Sequence, residues 1–346
     1  MKKLRIGVIG LGMGRGHVKG FQEHPDAEVV AVCDPNAARL KEIGDRFNVP
    51  SRYASADEML AAEKLDAVGI ATPNKFHCPL SLRALAAGCH VFCEKPMAMN
   101  AREARRMIDA AAKARKRLMI NFSYRFLEQS TALKKEVESG ILGDVYFART
   151  VWHRRRGLPG FGGWFGQKEF SGGGPLIDLG VHRLDLALWL MGYPKPAWVM
   201  GSTYNHIAAP LAKKSGKKFD VEDLAVGLVK FRNGATLEIE ASWAANIAEA
   251  ELMETRLLGT KGGLVQRNVG EDYDFEALLF IDRDGAMFDV KLHPPVPAVK
   301  SAYYTFIESV LGRMEPVATG EEGFIVMELL DSIYKSAKTG RPVEIK

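Results

Sequence analysis

Residues 4–17 constrain the fold more than any other stretch of the chain. Leu4–Ile9 is a short, apolar, largely β-branched run, and it leads directly into Gly10-Leu11-Gly12-Met13-Gly14-Arg15-Gly16-His17 and a helix-compatible segment at His17–Glu23. Such a sequence forms a buried strand, turns tightly and enters a helix. The alternation then continues. Glu28–Cys33, Ala67–Ala71, His90–Cys93 and Leu118–Asn121 read as short strands buried on both faces. Between them, Asn36–Phe47, Ala56–Ala62, Pro79–Ala87 and Ala101–Ala114 read as helices, with stop signals at Pro25, Pro50 and Gly88. A β-α-β-α order of this kind implies a parallel sheet with helices on both faces.

The texture changes near residue 122. Val145–Arg154, Trp198–Tyr204, Leu224–Phe231, Ala235–Trp243 and Leu278–Asp282 read as longer strands, several with polar–apolar alternation. Asn233-Gly234 between two of them is a strong hairpin signal. Helices are expected at about 176–191, 301–311 and 321–338. The second part is therefore expected to be an α+β domain with a large, mainly antiparallel sheet that is one-sided. The predicted boundaries are residues 1–121 and 122–346, with the last helix free to pack back on the first domain. A length of 346 residues agrees with two domains of roughly 150 residues or more.

Composition removes several classes. The chain is 47% hydrophobic, too apolar for disorder, and no apolar run approaches the roughly 20 residues that cross a bilayer. The basic start, Met1-Lys2-Lys3-Leu4-Arg5, leads into a segment too short and glycine-broken for a signal peptide, so a cytoplasmic protein is expected. Its cysteines, Cys33, Cys78, Cys89 and Cys93, form no C-x-x-C pair and are expected to be reduced and mostly buried. A net charge of only +5 gives no reason to expect nucleic acid or membrane as a partner.

Of the 34 glycines, six fall in residues 1–20 and eight in residues 157–174. In the first cluster glycines let the backbone turn and approach a pyrophosphate, and the following helix offers N–H groups and positive dipole to the phosphates. Gly10, Gly12, Met13 and Gly14 are the expected contacts. The spacing departs from G-x-G-x-x-G: Arg15 occupies the third glycine's place, and Gly14 is expected to take that role. Asp34 ends the next strand, 20 residues past Gly14, where a carboxylate accepts hydrogen bonds from a ribose diol and repels a 2′-phosphate. The first domain thus reads as a Rossmann dinucleotide-binding domain, with NAD preferred over NADP.

Two further features carry chemistry. His90-Val91-Phe92-Cys93-Glu94-Lys95-Pro96 puts Lys95 at the carboxyl end of a buried strand, the edge where such sheets bind ligands; on its own, a solvated lysine is the commoner reading. On the apolar helix at 176–191, ideal geometry places Asp178, His182 (~40° away) and Asp185 (~−20°) on one stripe. Taken alone, this is equally a structural Asp–His pair or an acid–base pair poised near neutrality. No third ligand accompanies the pair, so no metal site is expected. Ser171-Gly172-Gly173-Gly174-Pro175 before the helix reads as a loop able to close over a ligand. His153-Arg154-Arg155-Arg156 beside the second glycine cluster is the one charge run placed to meet an oxygen-rich substrate.

Together these residues resemble the Gfo/Idh/MocA family of sugar and polyol oxidoreductases over essentially the whole chain. The resemblance rests on Gly14-Arg15-Gly16-His17, Ala71-Thr72-Pro73-Asn74 with His77, Ala87-Gly88-Cys89-His90-Val91, Glu94-Lys95-Pro96, Tyr124-Arg125-Phe126, and Gly172–Asp178 running on through Leu179-Gly180-Val181-His182. It implies that Thr72, Pro73, Asn74 and His77 lie by the cofactor, with Glu94 and Lys95 near the nicotinamide. It further implies that Lys95, Asp178 and His182 are catalytic. Tyr124 and Arg125 are expected near the substrate, as are His153 and Arg156 beside the second glycine cluster and Trp164 within it. The expected reaction is oxidation of a secondary alcohol on a cyclic sugar or polyol: His182 takes the hydroxyl proton, Asp178 supports it, and Lys95 stabilises the alkoxide. Two rivals are an NAD-recycling glycosidase acting by oxidation, elimination and reduction, and a non-catalytic sugar or dinucleotide sensor. A homo-oligomer, dimer or tetramer, is expected, because a one-sided sheet must cover its other face or keep it polar.

Overall fold

A computed structural model describes residues 3–270, 273–293 and 299–345. They fall into two compact units, Met1–Phe122 with Lys300–Met327, and Ser123–Val299 with Glu328–Lys346.

The first unit alternates β1 (Leu4–Ile9), α1 (Gly14–Gln22), β2 (Ala27–Cys33), α2 (Ala37–Arg46), β3 (Ser51–Tyr53), α3 (Ala56–Ala62), β4 (Ala67–Ile70), α4 (His77–Ala86), β5 (His90–Cys93), α5 (Ala101–Ala114) and β6 (Leu118–Ile120). The strands form one parallel sheet in the order β3-β2-β1-β4-β5-β6, so the order reverses beside β1. Helices on both faces explain why Ile6, Val8, Val68, Ile70, Val91 and Phe92 are all fully buried and why the strands read as unbroken apolar runs. Asn36 and Asn100 cap α2 and α5 by accepting from the N–H groups of Arg39 and Glu103. The segment Lys300–Met327 also belongs to this unit and carries α10 (Ala302–Val310). Its Tyr303 and Phe306 join Phe21 and Phe92 in a cluster with ring centroids between 5.3 and 6.0 Å apart.

The second unit holds α6 (Glu128–Glu138), β7 (Val145–Arg154), α7 (Lys168–Ser171), α8 (Val181–Leu190), β8 (Pro196–Tyr204), α9 (Ala208–Ser215), β9 (Leu224–Phe231), β10 (Thr236–Ser242), β11 (Glu251–Gly259), β12 (Gly262–Asn268), β13 (Phe275–Arg283), β14 (Ala286–Lys291) and β15 (Val343–Glu344). The helix α11 (Gly320–Thr339) contributes its residues from Glu328 onward. The sheet order is β14-β13-β12-β11-β7-β10-β9-β8-β15, antiparallel throughout except where β7 meets β10. Alternation explains its two faces: Ala225, Val229 and Phe231 of β9 are buried while Leu224, Val226, Leu228 and Lys230 are only half-buried. The expected hairpin at Asn233-Gly234 is present, with Gly234 at φ +91°. The sequence reading did not identify β3, β11, β12, β14, β15, α6, α7 or α9, and gave β13 only its centre. Among the described residues no helix is long and apolar enough to cross a membrane.

Candidate functional site

In the first unit the glycine loop joins β1 to α1 at the point where the strand order reverses. Gly10 has φ +84°, and a Cβ there would lie 2.6 Å from the Ala71 carbonyl oxygen, so only glycine serves. A Cβ at Gly12 would meet nothing within 4 Å, and Met13 is 71% exposed, so the tip of the loop is open. Gly14 begins the helix. Asp34, at the end of β2, is buried and held by backbone: Oδ2 accepts from Leu11 N–H and Oδ1 from Asn36 N–H, both at 2.8 Å. Arg39 Nη1 also lies 3.2 Å from Oδ2. A tight turn, an open loop, a helix N-terminus and a fixed carboxylate fit a dinucleotide whose phosphates meet the loop and whose ribose meets Asp34.

Thr72, Pro73 and Asn74 follow β4, with Asn74 buried at the start of a short helical turn. Glu94 and the half-buried Lys95 follow β5. Glu94 Oε1 lies 2.8 Å from His17 Nε2 and accepts from Asn121 Nδ2 at 2.7 Å. Burial works against the Glu94 charge, but the His17 and Asn121 bonds and the Lys95 cation outweigh it and hold the carboxyl below its ordinary range. His17 thus ties the helix after the glycine loop to the strand end that carries Lys95, a role that its place in the motif did not reveal. His77 requires a correction. It is buried, with Nδ1 2.7 Å from Pro96 O and Nε2 2.8 Å from Thr72 O, so both ring nitrogens are taken up in bracing the two loops.

In the second unit the helix expected at 176–191 is not continuous. Leu176–Gly180 forms one wide turn with i→i+5 bonding, and α8 begins at Val181. Turns of this kind recur at functional sites. Asp178 sits in the wide turn, where its Oδ2 accepts from Trp243 Nε1 at 3.1 Å. His182, in the first turn of α8, packs against Tyr124 and Trp152, ring centroids 5.1 and 5.6 Å away. Burial pushes the Tyr124 phenol well above its ordinary value, so it stays neutral. Asp185 leaves the expected stripe, because the wide turn breaks the 100° phase on which that stripe was drawn. It takes Arg125 Nε at 2.9 Å and Nη2 at 2.6 Å, and the Tyr193 hydroxyl at 2.8 Å.

Arg125 is therefore a second correction: its guanidinium is fully buried and paired with Asp185. His153 is a third. In a strand, neighbours point to opposite faces. Trp152 faces His182, so His153 lies on the other side of the sheet, with Nε2 3.5 Å from Glu240 Oε2 and its pKa pulled down by burial. Arg156 is exposed and bonds Asn246 Oδ1 at 2.8 Å, and Trp164 stacks on Phe165 at 3.8 Å.

The glycine turn before Asp178 is packed and does not behave as a closing loop. A Cβ at Gly173 would lie 2.1 Å from the Tyr334 hydroxyl, and one at Gly174 2.1 Å from the Glu222 carbonyl oxygen. Buried Glu222 accepts from Gly174 N–H at 2.9 Å, Leu176 N–H at 3.2 Å and Tyr334 Oη–H at 2.8 Å. Glycine is needed here for close approach. Sequence reasoning missed Trp152, Trp243 and Glu222. The alternation of β7 would have separated Trp152 from His153, whereas Glu222 reaches back 46–48 residues and leaves no local signal.

Comparison with known proteins agrees with both units. Residues 4–122 match the family model for the NAD-binding Rossmann fold of the Gfo/Idh/MocA oxidoreductases, and residues 134–345 match the model for their C-terminal α/β domain. The chain belongs to the Gfo/Idh/MocA family. One relative in this family, a D-glucoside 3-dehydrogenase from Escherichia coli K12, is 35% identical over 99% of this chain and 97% of its own length. Among solved structures, an aldose–aldose oxidoreductase from Caulobacter crescentus complexed with glycerol superimposes with a TM-score of 0.84 at 26% identity, covering 99% of this chain and all of that one. GenD2 from gentamicin A biosynthesis, in complex with NAD, gives 0.82 at 25% identity over 100% and 97% of the two chains. This Gfo/Idh/MocA member is accordingly an oxidoreductase with a dinucleotide-binding first unit.

Proposed function

We propose that the protein is an NAD-dependent dehydrogenase of a secondary alcohol on a cyclic sugar, with a D-glucoside oxidised at ring carbon 3 as the first candidate. The observation that carries the reading is the acid–base pair Asp178 and His182, set among Tyr124, Trp152 and Trp243. Aromatic rings suit the C–H faces of a sugar, and an imidazole among them suits its hydroxyl. The 35% identical glucoside dehydrogenase supports the choice of substrate. NAD, when bound, supplies the hydride acceptor. His182 takes the hydroxyl proton, Asp178 orients and supports His182, and Lys95 stabilises the alkoxide. Gly10, Gly12, Met13, Gly14, Thr72, Asn74 and Glu94 hold the cofactor.

The test is a panel of methyl glucopyranosides, inositols, anhydrosugars and aldoses with NAD, followed by NADH absorbance and product analysis. Net NADH with a keto-glucoside supports the reading. Release of the aglycone without net NADH identifies the oxidation–elimination–reduction glycosidase. Tight binding without any turnover identifies a sensor.

Asp34 is proposed to select NAD by accepting from the ribose diol and by occupying Arg39. Asp34→Ser removes the repulsion toward a 2′-phosphate and frees a guanidinium beside it. Like-charge contacts cost several kcal/mol, so the NADP/NAD ratio of kcat/KM is expected to rise about 10²-fold. Steady-state kinetics with both cofactors checks this, and an unchanged ratio refutes the role. We also propose a cytoplasmic homo-oligomer, dimer or tetramer. Four free, buried cysteines suit a reducing compartment. The sheet face that presents Met200, Tyr204 and Met287, at 45%, 42% and 89% exposure, suits coverage by a second copy.

A further inference from the structure

Arg183 is a buried charge that the reading above leaves unused. It follows His182 in α8, is inaccessible to solvent, and donates from Nη1 to Gln266 Oε1 at 3.0 Å. Its Nε and Nη2 have no hydrogen-bond partner, and among the described residues no carboxylate lies within ion-pair distance. The guanidinium instead stands 5.1 Å from the ring centroids of both Tyr124 and Phe275. An unpaired buried cation costs more than two such ring contacts return. Burial pulls its pKa down to about 10, which leaves it charged at neutral pH.

Tyr124 is the shared neighbour. Its ring is 5.1 Å from the Arg183 guanidinium and 5.1 Å from the His182 ring, so cation and imidazole lie within about 10 Å of each other. The phenol between them is neutral and cancels nothing.

Other charges on the elements packed against α8 have counter-charges. Arg125 pairs with Asp185, and Arg154 of β7 pairs with Glu251, which also accepts from Trp152 Nε1. Arg149 and His153, on the far face of β7, face Glu240; Glu254 and Arg256 of β11 face each other. On α6, Lys134 meets Glu138 and the Trp189 carbonyl oxygen, and Glu128, Lys135 and Glu136 lie at or near the surface. Asp178, bonded to Trp243, favours the imidazolium. Arg183 opposes it.

We propose that Arg183 is a positioning residue for the proton on His182: its charge, without an ion-pair partner and offset only at a distance by Glu254, disfavours the imidazolium and keeps His182 in the proton-accepting form. This rests on the reading of His182 as the general base. At about 10 Å and an effective dielectric constant of about 20, the interaction amounts to about one pH unit.

Arg183→Met and Arg183→Gln remove the charge, Gln retaining a donor toward Gln266. The first readout is the His182 titration midpoint, by NMR of protein labelled with ¹⁵N-histidine and free of ligand, assigned by difference with His182→Gln. The second is the ascending limb of kcat/KM against pH for the best substrate of the panel. Both are expected to rise by about one pH unit in the two neutral variants. A midpoint that does not move, with stability alone reduced, makes Arg183 a structural cation and overturns the proposal. A midpoint that moves while the limb stays put upholds the effect of Arg183 and removes His182 as the base. The parent protein supplies a check that needs no variant: its His182 midpoint is expected below the reference of about 6.5, and a value at or above that also overturns the proposal.

Discussion

Exchange of His182 for glutamine is expected to lower kcat/KM by about 10²–10⁴-fold while affinity for NAD is retained. Glutamine keeps a polar group of similar reach against Tyr124 and Trp152 but cannot take a proton at neutral pH. The loss should fall on kcat, because a general base acts as the proton leaves and contributes little to holding the ground state. It should also abolish the ascending limb of the pH profile. Stopped-flow NADH formation, with NAD affinity measured separately by titration, decides the matter. Parent-like turnover would end the assignment of His182. A loss shared equally by NAD affinity and turnover would point to misfolding of the variant.

The Arg125–Asp185 pair sets the other large effect, this time on stability. Asp185→Ala takes from a fully buried guanidinium the carboxylate that pairs with it, and breaking one side of such a pair costs about 3–5 kcal/mol. Removing both charges is different. Arg125→Met with Asp185→Leu deletes the cation with its partner, and buried pairs replaced by apolar side chains of similar volume are often neutral or better. Chemical denaturation of the single and double variants is expected to show a large loss for Asp185→Ala that the double variant recovers. Equal losses in both would mean that the geometry of the pair, rather than its charge balance, supports the wide turn and α8.

What was legible in the sequence follows from how local each signal is. The parallel sheet could be read because β1, β4 and β5 are covered on both faces, and full burial demands unbroken apolar runs at short spacing. Strands such as β12 and β14 were not legible. Gly262–Asn268 and Ala286–Lys291 owe their strand state to partners across the sheet, and β14 has every residue exposed. Asp178 and His182 stood out because polar groups on an apolar helix must be accounted for. Their setting did not, since Trp243 lies 65 residues from the carboxylate it bonds.

The errors have equally physical causes. The family resemblance places Arg125, and proximity to the second glycine cluster places His153, beside a substrate, yet one answers a buried carboxylate and the other points across a strand from Trp152. The family resemblance places His77 by the cofactor, and the run of glycines reads as a loop able to close over a ligand. Here both are held from beneath, by backbone carbonyls in one case and by Glu222 with Tyr334 in the other.

The wide turn at Leu176–Gly180 has a consequence for how this segment tolerates change in length. It accommodates one residue more than an ordinary helical turn, much as a spacer sets the timing between two gears. Without that residue the segment would close into a plain α-helix, and everything before it would rotate by about 100° relative to α8. Asp178 would swing off the Trp243 indole, and the Gly174 and Leu176 amides would leave Glu222. Side-chain identity alone does not define the proposed acid–base pair; a register counted in single residues does.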